Sequence, residues 1–512
     1  MRPIIYQVLP RLYGNLCSTC TPGGTRQQNG SGKLSDFTSA RLAAIRSLGA
    51  THIWYTGIIE HATLTDYSAC GLPADDPAYV KGQAGSPYAI RDYYNIDPDL
   101  ATDVNDRLGE FNRLVRRTHR AGLKVIIDFV PNHVAHTYTG TFRPFTDDNF
   151  YPGRLCDGDW TDTAKLNYGH PDTWDKMRDI LLFWASRGID GFRCDMAELV
   201  PVEFWHWVIP QIKAKRPTLL FIAEVYQPWQ YQAYIQQGGF DYLYDKVGLY
   251  DTLIALLKGQ QSATAITRCW QQTGDLSAHM LHFLENHDEQ RLASDFICGD
   301  GLRALPALLV AATMDSCPFM LYFGQELGER GMEAEGFSGV DGKTTIFDYW
   351  SVPSVRTSLQ AADAARAAAR KGKTTPPADE PMFSQTEQLL PYYYSRLLPL
   401  LNSEPALREG KFFDLMYVNP QSEHFNPHRQ YAFLRHEGDE LLLICANFDH
   451  APADVRIRIP QHAFDYLHLP VISQAQATEL ISGHTTTVTL APECEIPVHV
   501  EADGGVILKI SY

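Results

Sequence analysis

The chain has 512 residues, of which 45% are hydrophobic and 20% charged, so its composition is that of a globular protein and excludes an intrinsically disordered one. Lysine and arginine total 44 against 60 aspartates and glutamates, which gives a formal net charge of -16. Because nucleic acids and anionic membranes both attract basic surfaces, this charge argues against either as a partner. A chain of this length is expected to divide into roughly three domains.

The N-terminal segment and the cysteines indicate the compartment. The first apolar run is short and is interrupted by Pro10, whereas a secretory signal needs a longer one. No stretch approaches the ~18 consecutive apolar residues of a membrane span. Ten cysteines are scattered along the chain, and the pair Cys17 and Cys20 has no second pair to complete a zinc site. These features favour a cytoplasmic protein with reduced thiols.

Short apolar runs typical of buried parallel strands alternate with amphipathic helical patterns through most of the chain. The eight strand candidates are 4–9, 52–55, 125–130, 191–193, 220–223, 242–244, 281–285 and 319–323. Helices are predicted over 35–48 with Ser35 and Asp36 as the cap, over 106–121 ending at Gly122, and over 173–187 ending at Gly188. Eight strand–helix units predict an α/β fold, the (β/α)8 barrel, with function at the C-terminal ends of the strands.

Two long connections, and a change to β-branched, alternating sequence near the C-terminus, indicate the domain organisation. Residues 1–133 are expected to form the first part of the barrel, 134–172 a short excursion domain after strand 3, 173–405 the second part of the barrel, and 406–512 a C-terminal domain. An insertion over about 325–385 contains an Ala/Arg-rich helix at 360–373, and a last helix is predicted near 389–402. The C-terminal runs at 441–448, 453–460, 485–490 and 504–512 are β-branched and alternating, which predicts an antiparallel β-sandwich.

Four short motifs bring acidic side chains to the ends of predicted strands 3, 4, 5 and 7. They are DFVPNH at 128–133, GFRCDMAE at 191–198, AEVY at 223–226 and ENHD at 285–288. Glycoside hydrolysis needs a nucleophile, a proton donor and a stabiliser of charge, and carboxylates fill these roles. A single aspartate in such a place is most often a cap or turn residue, but four motifs in order at four strand ends indicate one site.

Two of the carboxylates have surroundings that suit these roles. Asp195 lies two residues after Arg193, on the same side of an extended chain, so the guanidinium is expected to keep it ionised and in one rotamer, as a nucleophile requires. Glu224 ends the apolar strand LLFIAE, where burial favours the protonated carboxyl that a proton donor needs. The sequence therefore predicts a nucleophile and an acid/base on neighbouring strands.

These motifs, in this order and at these strands, resemble the alpha-amylase superfamily, family 13 of the glycoside hydrolases, and the resemblance covers nearly the whole chain. It implies that Asp195 is the nucleophile, Glu224 the general acid/base, and Asp288 the third acid, which binds and distorts the sugar. The other residues that it implies are Arg193, which orients Asp195; His133 and His287, which bind sugar hydroxyls; Tyr88 in SPYAIRDYYNIDP, which stacks beneath the sugar; and Asp128, a structural partner of Arg193. The excursion and the sandwich correspond to the family's domains B and C.

The resemblance also implies that no cofactor is required and that calcium is an optional ion. Asn132 matches a calcium ligand of the family, but the domain B motif AKLNY presents Asn167 where many calcium-dependent members carry aspartate. Calcium prefers six to eight oxygen ligands with carboxylates among them. We therefore expect at most a weak site, at the junction of the barrel and domain B.

The activity that the resemblance implies is hydrolysis of α-linked glucans or maltooligosaccharides by a retaining mechanism, through a covalent glycosyl-enzyme. The alternative is a transglycosylase or isomerase of the glucanotransferase or trehalose-synthase type, because the walls of the cleft decide whether water or a sugar accepts the glycosyl group. A remote alternative is a non-catalytic amylase-fold binding protein, which the three carboxylates disfavour. The fold does not decide among these activities.

Overall fold

Eight parallel strands close into a barrel at the centre of the computed structural model, which describes residues 1–332, 334, 336–370 and 385–512. The strands are β1 (Ile4–Val8), β2 (His52–Tyr55), β3 (Lys124–Phe129), β4 (Gly191–Cys194), β5 (Leu220–Ala223), β6 (Tyr242–Tyr244), β7 (Met280–Phe283) and β8 (Phe319–Tyr322). Each strand pairs with the next one in the chain, and β8 closes the barrel on β1. Every strand overlaps a predicted run, so the predicted α/β barrel is confirmed.

Helices surround the barrel. Those of seven or more residues are α1 (Ser39–Ser47), α2 (Arg107–Arg120), α3 (Pro171–Ser186), α4 (Val202–Lys215), α5 (Asp251–Leu257), α6 (Ala265–Thr273), α7 (Leu305–Thr313), α8 (Pro353–Arg370), α9 (Gln385–Ser403) and α10 (Gln461–Leu467). Shorter α-helical turns are Pro10–Tyr13, Arg26–Asn29, Tyr231–Ala233 and Pro405–Arg408, and π-helical turns are Tyr234–Gly238 and Lys246–Tyr250. Gly122 and Gly188 follow α2 and α3 with φ of +77° and +87°, a left-handed conformation that favours glycine after a helix. Across the described ranges, no helix combines the length and apolar character needed to cross a bilayer.

The first barrel helix begins later than the sequence predicts. Its N-cap is Thr38, whose side chain accepts a hydrogen bond from the backbone N–H of Arg41 at 3.3 Å. Asp36 belongs instead to a separate 3₁₀ turn, Leu34–Asp36, and accepts from the N–H of Lys33 at 2.7 Å. The predicted Ser35–Asp36 cap is therefore wrong, because the aspartate caps its own turn. The Ala/Arg-rich helix predicted at 360–373 belongs to α8, and residues 371–373 lie outside the described residues.

Apolar side chains fill the barrel below its mouth. They include Ile5, Trp54, Ile126, Ile222, Leu281 and Met320, all almost fully buried. The interior is therefore a packed core, and chemistry is confined to the loops at the strand ends. The excursion after β3 covers part of that mouth, and its antiparallel pair, His133–Ala135 with Thr163–Lys165, anchors it. A second pair, Ile59–His61 with Ile90–Ile96, follows β2.

The C-terminal domain is built from antiparallel sheets, as predicted. Its strands are β9 (Lys411–Asp414), β10 (Gln430–Glu437), β11 (Glu440–Asn447), β12 (Ala453–Arg458), β13 (Ile472–Glu479), β14 (Thr485–Leu490), β15 (Glu495–Val500) and β16 (Gly504–Ser511). Six of them form a sheet in the order β9-β10-β11-β16-β13-β14, and β12 pairs with β15.

A buried arginine on β10, Arg435, fastens this domain to the barrel. Its guanidinium donates to the carbonyl of Met314 at 2.7 Å and to Oγ of Ser316 at 2.5 Å, beyond α7. It also donates to the carbonyls of Ala406 at 3.1 Å and Gly410 at 2.8 Å. One side chain therefore satisfies acceptors on both sides of the domain boundary.

Candidate active site

The four acidic motifs converge on a cleft of about 330 Å³ at the C-terminal ends of the strands. Of the residues predicted to act there, Tyr88, His133, Asp195, Glu224 and Asp288 line the cleft. Side chains that the sequence did not single out complete its walls: Lys81, Ser86, Trp160, Asp162, Thr163, Met196, Tyr226, Ile346 and Phe347. The quoted motifs therefore also carry Ser86, Met196 and Tyr226, and loops outside those motifs supply the remaining side chains.

Arg193, on β4, contacts both of the carboxylates assigned to chemistry. Its Nη1 lies 2.7 Å from Oδ1 of Asp195, and its Nη2 lies 2.8 Å from Oε2 of Glu224. Asp128 pairs with Arg193 in the β3–β4 register, and its Oδ1 lies 3.7 Å from Nη1. The guanidinium also packs against three aromatic rings, Trp54, Tyr88 and Tyr244, at 5.4, 5.4 and 5.6 Å. One fixed cation thus orients both carboxylates.

Burial dominates the electrostatics of Asp195. It raises the pKa of Asp195, Arg193 opposes the rise, and the nearby Glu224 carboxyl adds to it. The sequence predicts only the contribution of Arg193, and burial outweighs that contribution.

The two oxygens of Glu224 have different partners. Oε2 accepts from the backbone N–H of Met196 at 2.7 Å as well as from Arg193, and Oε1 lies 2.6 Å from the hydroxyl of Tyr226. Met196 has φ of +41°, a left-handed conformation that is unfavourable for a side chain of this size. The N–H of this residue donates to Glu224, so local backbone strain coincides with the placement of the carboxyl.

Asp288 faces the cleft beside a neutral histidine. The amide nitrogen of Gln7 lies 2.8 Å from Nδ1 of His287, so Nδ1 accepts and the ring proton is on Nε2. Nε2 lies 3.0 Å from Oδ2 of Asp288 and 2.5 Å from the hydroxyl of Tyr88. Burial lowers the pKa of His287 well below its usual value, and Arg193 adds to this effect. His287 therefore acts as an uncharged hydrogen-bond donor.

His133, which lines the cleft, is also a buried histidine. Burial lowers its pKa to about 4, and its Nε2 lies 4.0 Å from Oδ2 of Asp195. Its ring packs against Trp160 of the excursion at 5.4 Å.

Two further hydrogen bonds fix Asp128. Its Oδ2 accepts from the indole of Trp54 at 3.2 Å and from the N–H of Gly57 at 3.1 Å. Burial raises the pKa of Asp128 to about 6.

The junction where a weak calcium site was considered possible carries a lysine, Lys165. Nδ2 of Asn132 donates to Oδ2 of Asp157 at 2.7 Å, and Nζ of Lys165 lies 2.7 Å from Oδ1 of the same carboxylate. Oδ1 of Asn167 accepts from the N–H of Gly169 at 2.9 Å. Within the described ranges no group of three or more His, Cys, Asp or Glu residues could hold a metal ion. These contacts do not fit the oxygen cage that calcium needs, because a cation and an amide N–H already occupy the carboxylate.

Tyr226 is the most informative residue that sequence reasoning missed. It stands in the quoted motif AEVY, two residues after Glu224, so period-two geometry gave a signal that it shares a side with the acid/base. No local signal existed for Lys81, Asp162 or Phe347, which reach the cleft only through long-range folding. Lys81 and Asp162 form an ion pair at 2.9 Å across the cleft wall.

The mouth of this parallel barrel contains two carboxylates bridged by an arginine and a third carboxylate beside them. This arrangement defines a class of enzyme, the barrel glycoside hydrolases. Comparison with known proteins narrows the class. A family model described as "Alpha amylase, catalytic domain" matches residues 24–151 and 148–388. The chain belongs to this alpha-amylase family.

Individual relatives are distant. An alpha-amylase, MalA, of Haloarcula japonica is 28% identical over 58% of this chain and 42% of its own length. Neopullulanase 2 of Thermoactinomyces vulgaris is 24% identical over 64% of this chain and 57% of its own length. The intracellular maltogenic amylase of Bacillus subtilis is 25% identical over 48% of this chain and 44% of its own length. The chain thus spans about half the length of these curated relatives.

Solved structures share the whole fold at low identity. The alpha-amylase of Geobacillus thermoleovorans complexed with acarbose covers 100% of this chain and 98% of its own, with a TM-score of 0.70 and 19% identity. CldA, described as a cyclomaltodextrin glucanotransferase with a three-domain ABC distribution, covers 100% of this chain and 99% of its own, with a TM-score of 0.70 and 16% identity. At these identities the likeness establishes the fold alone.

Proposed function

We propose that this protein hydrolyses α-linked glucans or maltooligosaccharides with retention of configuration, through a covalent glycosyl-enzyme. The observation that carries the proposal is the single guanidinium of Arg193 bridging Asp195 and Glu224 at 2.7 and 2.8 Å. Two carboxyls on one guanidinium lie close together, which suits the ~5–5.5 Å separation of retaining enzymes better than the ~6.5–9.5 Å of inverting ones. The alpha-amylases and neopullulanase among the relatives support the substrate class.

The reaction has two steps at these residues. Asp195 attacks the anomeric carbon while Glu224 gives its proton to the glycosidic oxygen, so the bond from carbon to the leaving sugar breaks as the bond to Asp195 forms. Glu224, now ionised, takes a proton from the acceptor, which displaces Asp195 from the same carbon. Asp288, His287 and His133 hold hydroxyls of the reacting sugar, and Tyr88 supports its face.

Transfer to a sugar acceptor uses the same intermediate and is the second candidate. The observation that favours it is the partly apolar wall of the cleft, formed by Trp160, Ile346 and Phe347, because such surfaces exclude water and pack against sugar rings. A relative from Cereibacter sphaeroides, 28% identical over 37% of this chain, is named as a maltosyltransferase and so belongs to this class of reaction.

We also propose that neither turnover nor folding requires a metal. Lys165 places a positive charge on Asp157 at the junction where a weak calcium site was considered possible, with Asn132 completing the contact at 2.7 Å. A fixed ammonium ion can neutralise that carboxylate without any dependence on free calcium.

For localisation we propose the cytoplasm. All ten cysteines lie within the described residues and are free. Free thiols persist in reducing compartments. The relative from Bacillus subtilis is named an intracellular enzyme, which agrees with this proposal.

The decisive experiment follows products and their configuration. Wild-type protein is incubated with amylose, pullulan and maltoheptaose, and the anomer formed first is read by NMR. Release of the α-anomer with shorter products supports retaining hydrolysis, whereas products longer than the substrate support transfer and the β-anomer contradicts the mechanism.

Variants of the carboxylates assign the roles. Glu224→Gln should lose ~100-fold or more on maltoheptaose but still react with α-maltosyl fluoride, whose leaving group needs no proton. Asp195→Asn should lose both reactions. Glu289→Gln is the control, because Glu289 is bonded to Tyr250 at 3.0 Å and to Lys246 at 3.4 Å and not to the reacting pair.

A further inference from the structure

The carboxyl of Glu224 has one oxygen that cannot readily carry a proton. Oε2 faces two donors, the backbone N–H of Met196 at 2.7 Å and Nη2 of Arg193 at 2.8 Å. Neither an amide N–H nor a guanidinium can reverse its role and accept. A proton on Oε2 would therefore meet two other protons, so the acid form of Glu224 must carry its proton on Oε1.

Oε1 has a partner that can serve both protonation states. The hydroxyl of Tyr226 lies 2.6 Å from Oε1, and a phenol both donates and accepts. It accepts from the carboxylic acid and donates to the carboxylate. Burial, with the charge of Glu224 and Asp288, raises the pKa of Tyr226 well above its usual value, so the phenol keeps its proton across the working range.

The hydroxyl of Tyr226 is also fixed in position. Oε2 of Glu198 accepts from the backbone N–H groups of Tyr226 and Gln227 at 3.0 and 3.1 Å, which holds the turn after β5. The ring packs against the apolar cluster inside the barrel. A group held by its backbone and by its ring can direct a neighbouring carboxyl.

We propose that Tyr226 is a positioning residue for the acid/base: it makes Oε1 the proton-carrying oxygen of Glu224 and stabilises the carboxylate left when that proton departs. This inference rests on the proposed function of Glu224. In the first step the proton passes from Oε1 to the glycosidic oxygen as the bond from carbon to oxygen breaks. The phenol then turns from acceptor to donor towards Oε1. When Glu224 removes a proton from the acceptor, the phenol returns to its first role.

The test compares leaving groups. The variant Tyr226→Phe keeps the ring and removes only the hydroxyl. Its kcat/KM should fall roughly tenfold on maltotriose, since a hydrogen bond to a charged group is lost, and should stay near the wild-type value on α-maltosyl fluoride, which needs no acid. Because kcat/KM reports the glycosylation step, the later base role of Glu224 does not enter this comparison.

The matched control is Tyr431→Phe. Tyr431 is buried and donates from its hydroxyl to Oδ2 of Asp414 at 2.9 Å, so this variant also loses a phenol–carboxylate hydrogen bond, far from the cleft. Its ratio of activities on the two substrates should equal that of the wild type. Melting temperatures of both variants report whether the fold is intact.

A double variant separates this inference from the proposed function. In the Glu224→Gln background, Tyr226→Phe should cause no further loss on maltotriose, because the two residues act through one proton. If Glu224→Gln itself shows no preference for the fluoride, the acid/base assignment fails. Suppose instead that Glu224→Gln does prefer the fluoride. If Tyr226→Phe then lowers kcat/KM equally on both substrates, or on neither, only the role of Tyr226 is overturned.

Discussion

Tyr88, which lines the cleft, forms a stacked and hydrogen-bonded pair with His287, with ring centroids 5.2 Å apart and a hydroxyl-to-Nε2 distance of 2.5 Å. The hydroxyl of Tyr88 also lies 3.4 Å from Oδ1 of Asp128. Because the histidine proton is on Nε2, the tyrosine accepts from His287 and donates towards Asp128. This pair therefore links Asp288, which contacts His287, to Asp128, which lies beside Arg193.

Removing the hydroxyl of Tyr88 tests that connection. Tyr88→Phe should lower kcat/KM on maltotriose roughly tenfold through the loss of a buried hydrogen bond. Tyr88→Ala should lose about tenfold more, because the ring face is lost as well. Tyr94→Phe is the control, since Tyr94 lies in the strand Ile90–Ile96 that follows Tyr88 and its buried hydroxyl has no hydrogen-bond partner among the described residues. Equal losses in Tyr88→Phe and Tyr94→Phe would contradict the prediction.

Asp97 should make stability depend on pH. Burial and the nearby Asp99 raise its pKa to about 8, while Arg11 opposes the rise. In the unfolded chain an aspartate titrates near ~3.9, so the folded state retains a proton that the unfolded state loses. The stability that this proton provides is complete below about pH 4 and is lost as the pH rises through about 8.

The variant Asp97→Asn keeps an oxygen that accepts from the N–H of Asp99 at 2.9 Å and removes the titration. Its melting temperature relative to wild type should rise between pH 5 and pH 9 by at least about 2 °C. Asp148→Asn, at an exposed position, is the control and should show a constant difference. A constant difference for Asp97→Asn would count against the raised pKa.

Chelation tests the role of Lys165. Wild-type activity and melting temperature should not change with a chelator. Lys165→Gln should lower the melting temperature modestly, in line with the ~0.2–1 kcal/mol of a partly exposed ion pair, and added calcium should restore it. Lys213→Gln is a close control, because Lys213 pairs with Asp241 at 2.6 Å with nearly the same exposure, and calcium should not restore it. A fall of tens of degrees when wild-type protein is chelated would show that a metal supports the fold.

Thiol titration tests the proposed compartment. Denatured, unreduced protein should yield all ten thiols. In native protein the five half-buried cysteines, Cys17, Cys20, Cys70, Cys156 and Cys494, should react before the five buried ones. Burial raises the pKa of Cys269 to about 11 and that of Cys298 and Cys445 to about 12, so these thiols form little reactive thiolate. Recovery of markedly fewer than ten thiols would contradict the proposal of a reducing compartment.

The barrel could be predicted from the sequence because buried parallel strands are short apolar runs, and β2, β5 and β6 begin and end where those runs do. The candidate carboxylates could be predicted for a related reason: Asp195 and Glu224 stand within one or two residues of a strand end, where position along the chain fixes position in space.

Other parts of the site depend on contacts between distant segments. Lys81 meets Asp162 only when the loop after β2 folds against the excursion. Lys165 stands in the quoted motif AKLNY, but its partner Asp157 becomes apparent only when the excursion folds back on itself. The balance between burial and Arg193 at Asp195 likewise depends on how deeply the barrel encloses that carboxyl, and no local pattern contains this information.

The guanidinium of Arg435 makes the sheet domain inseparable from the barrel. Excising the chain after α9 would remove the donor that the carbonyl of Met314 and the hydroxyl of Ser316 now share and would open their surface to water. Conversely, the sheet domain alone would expose an arginine whose pKa burial now lowers to about 10. A graft that combines the barrel of one homologue with the sheet domain of another must therefore carry both sides of this contact.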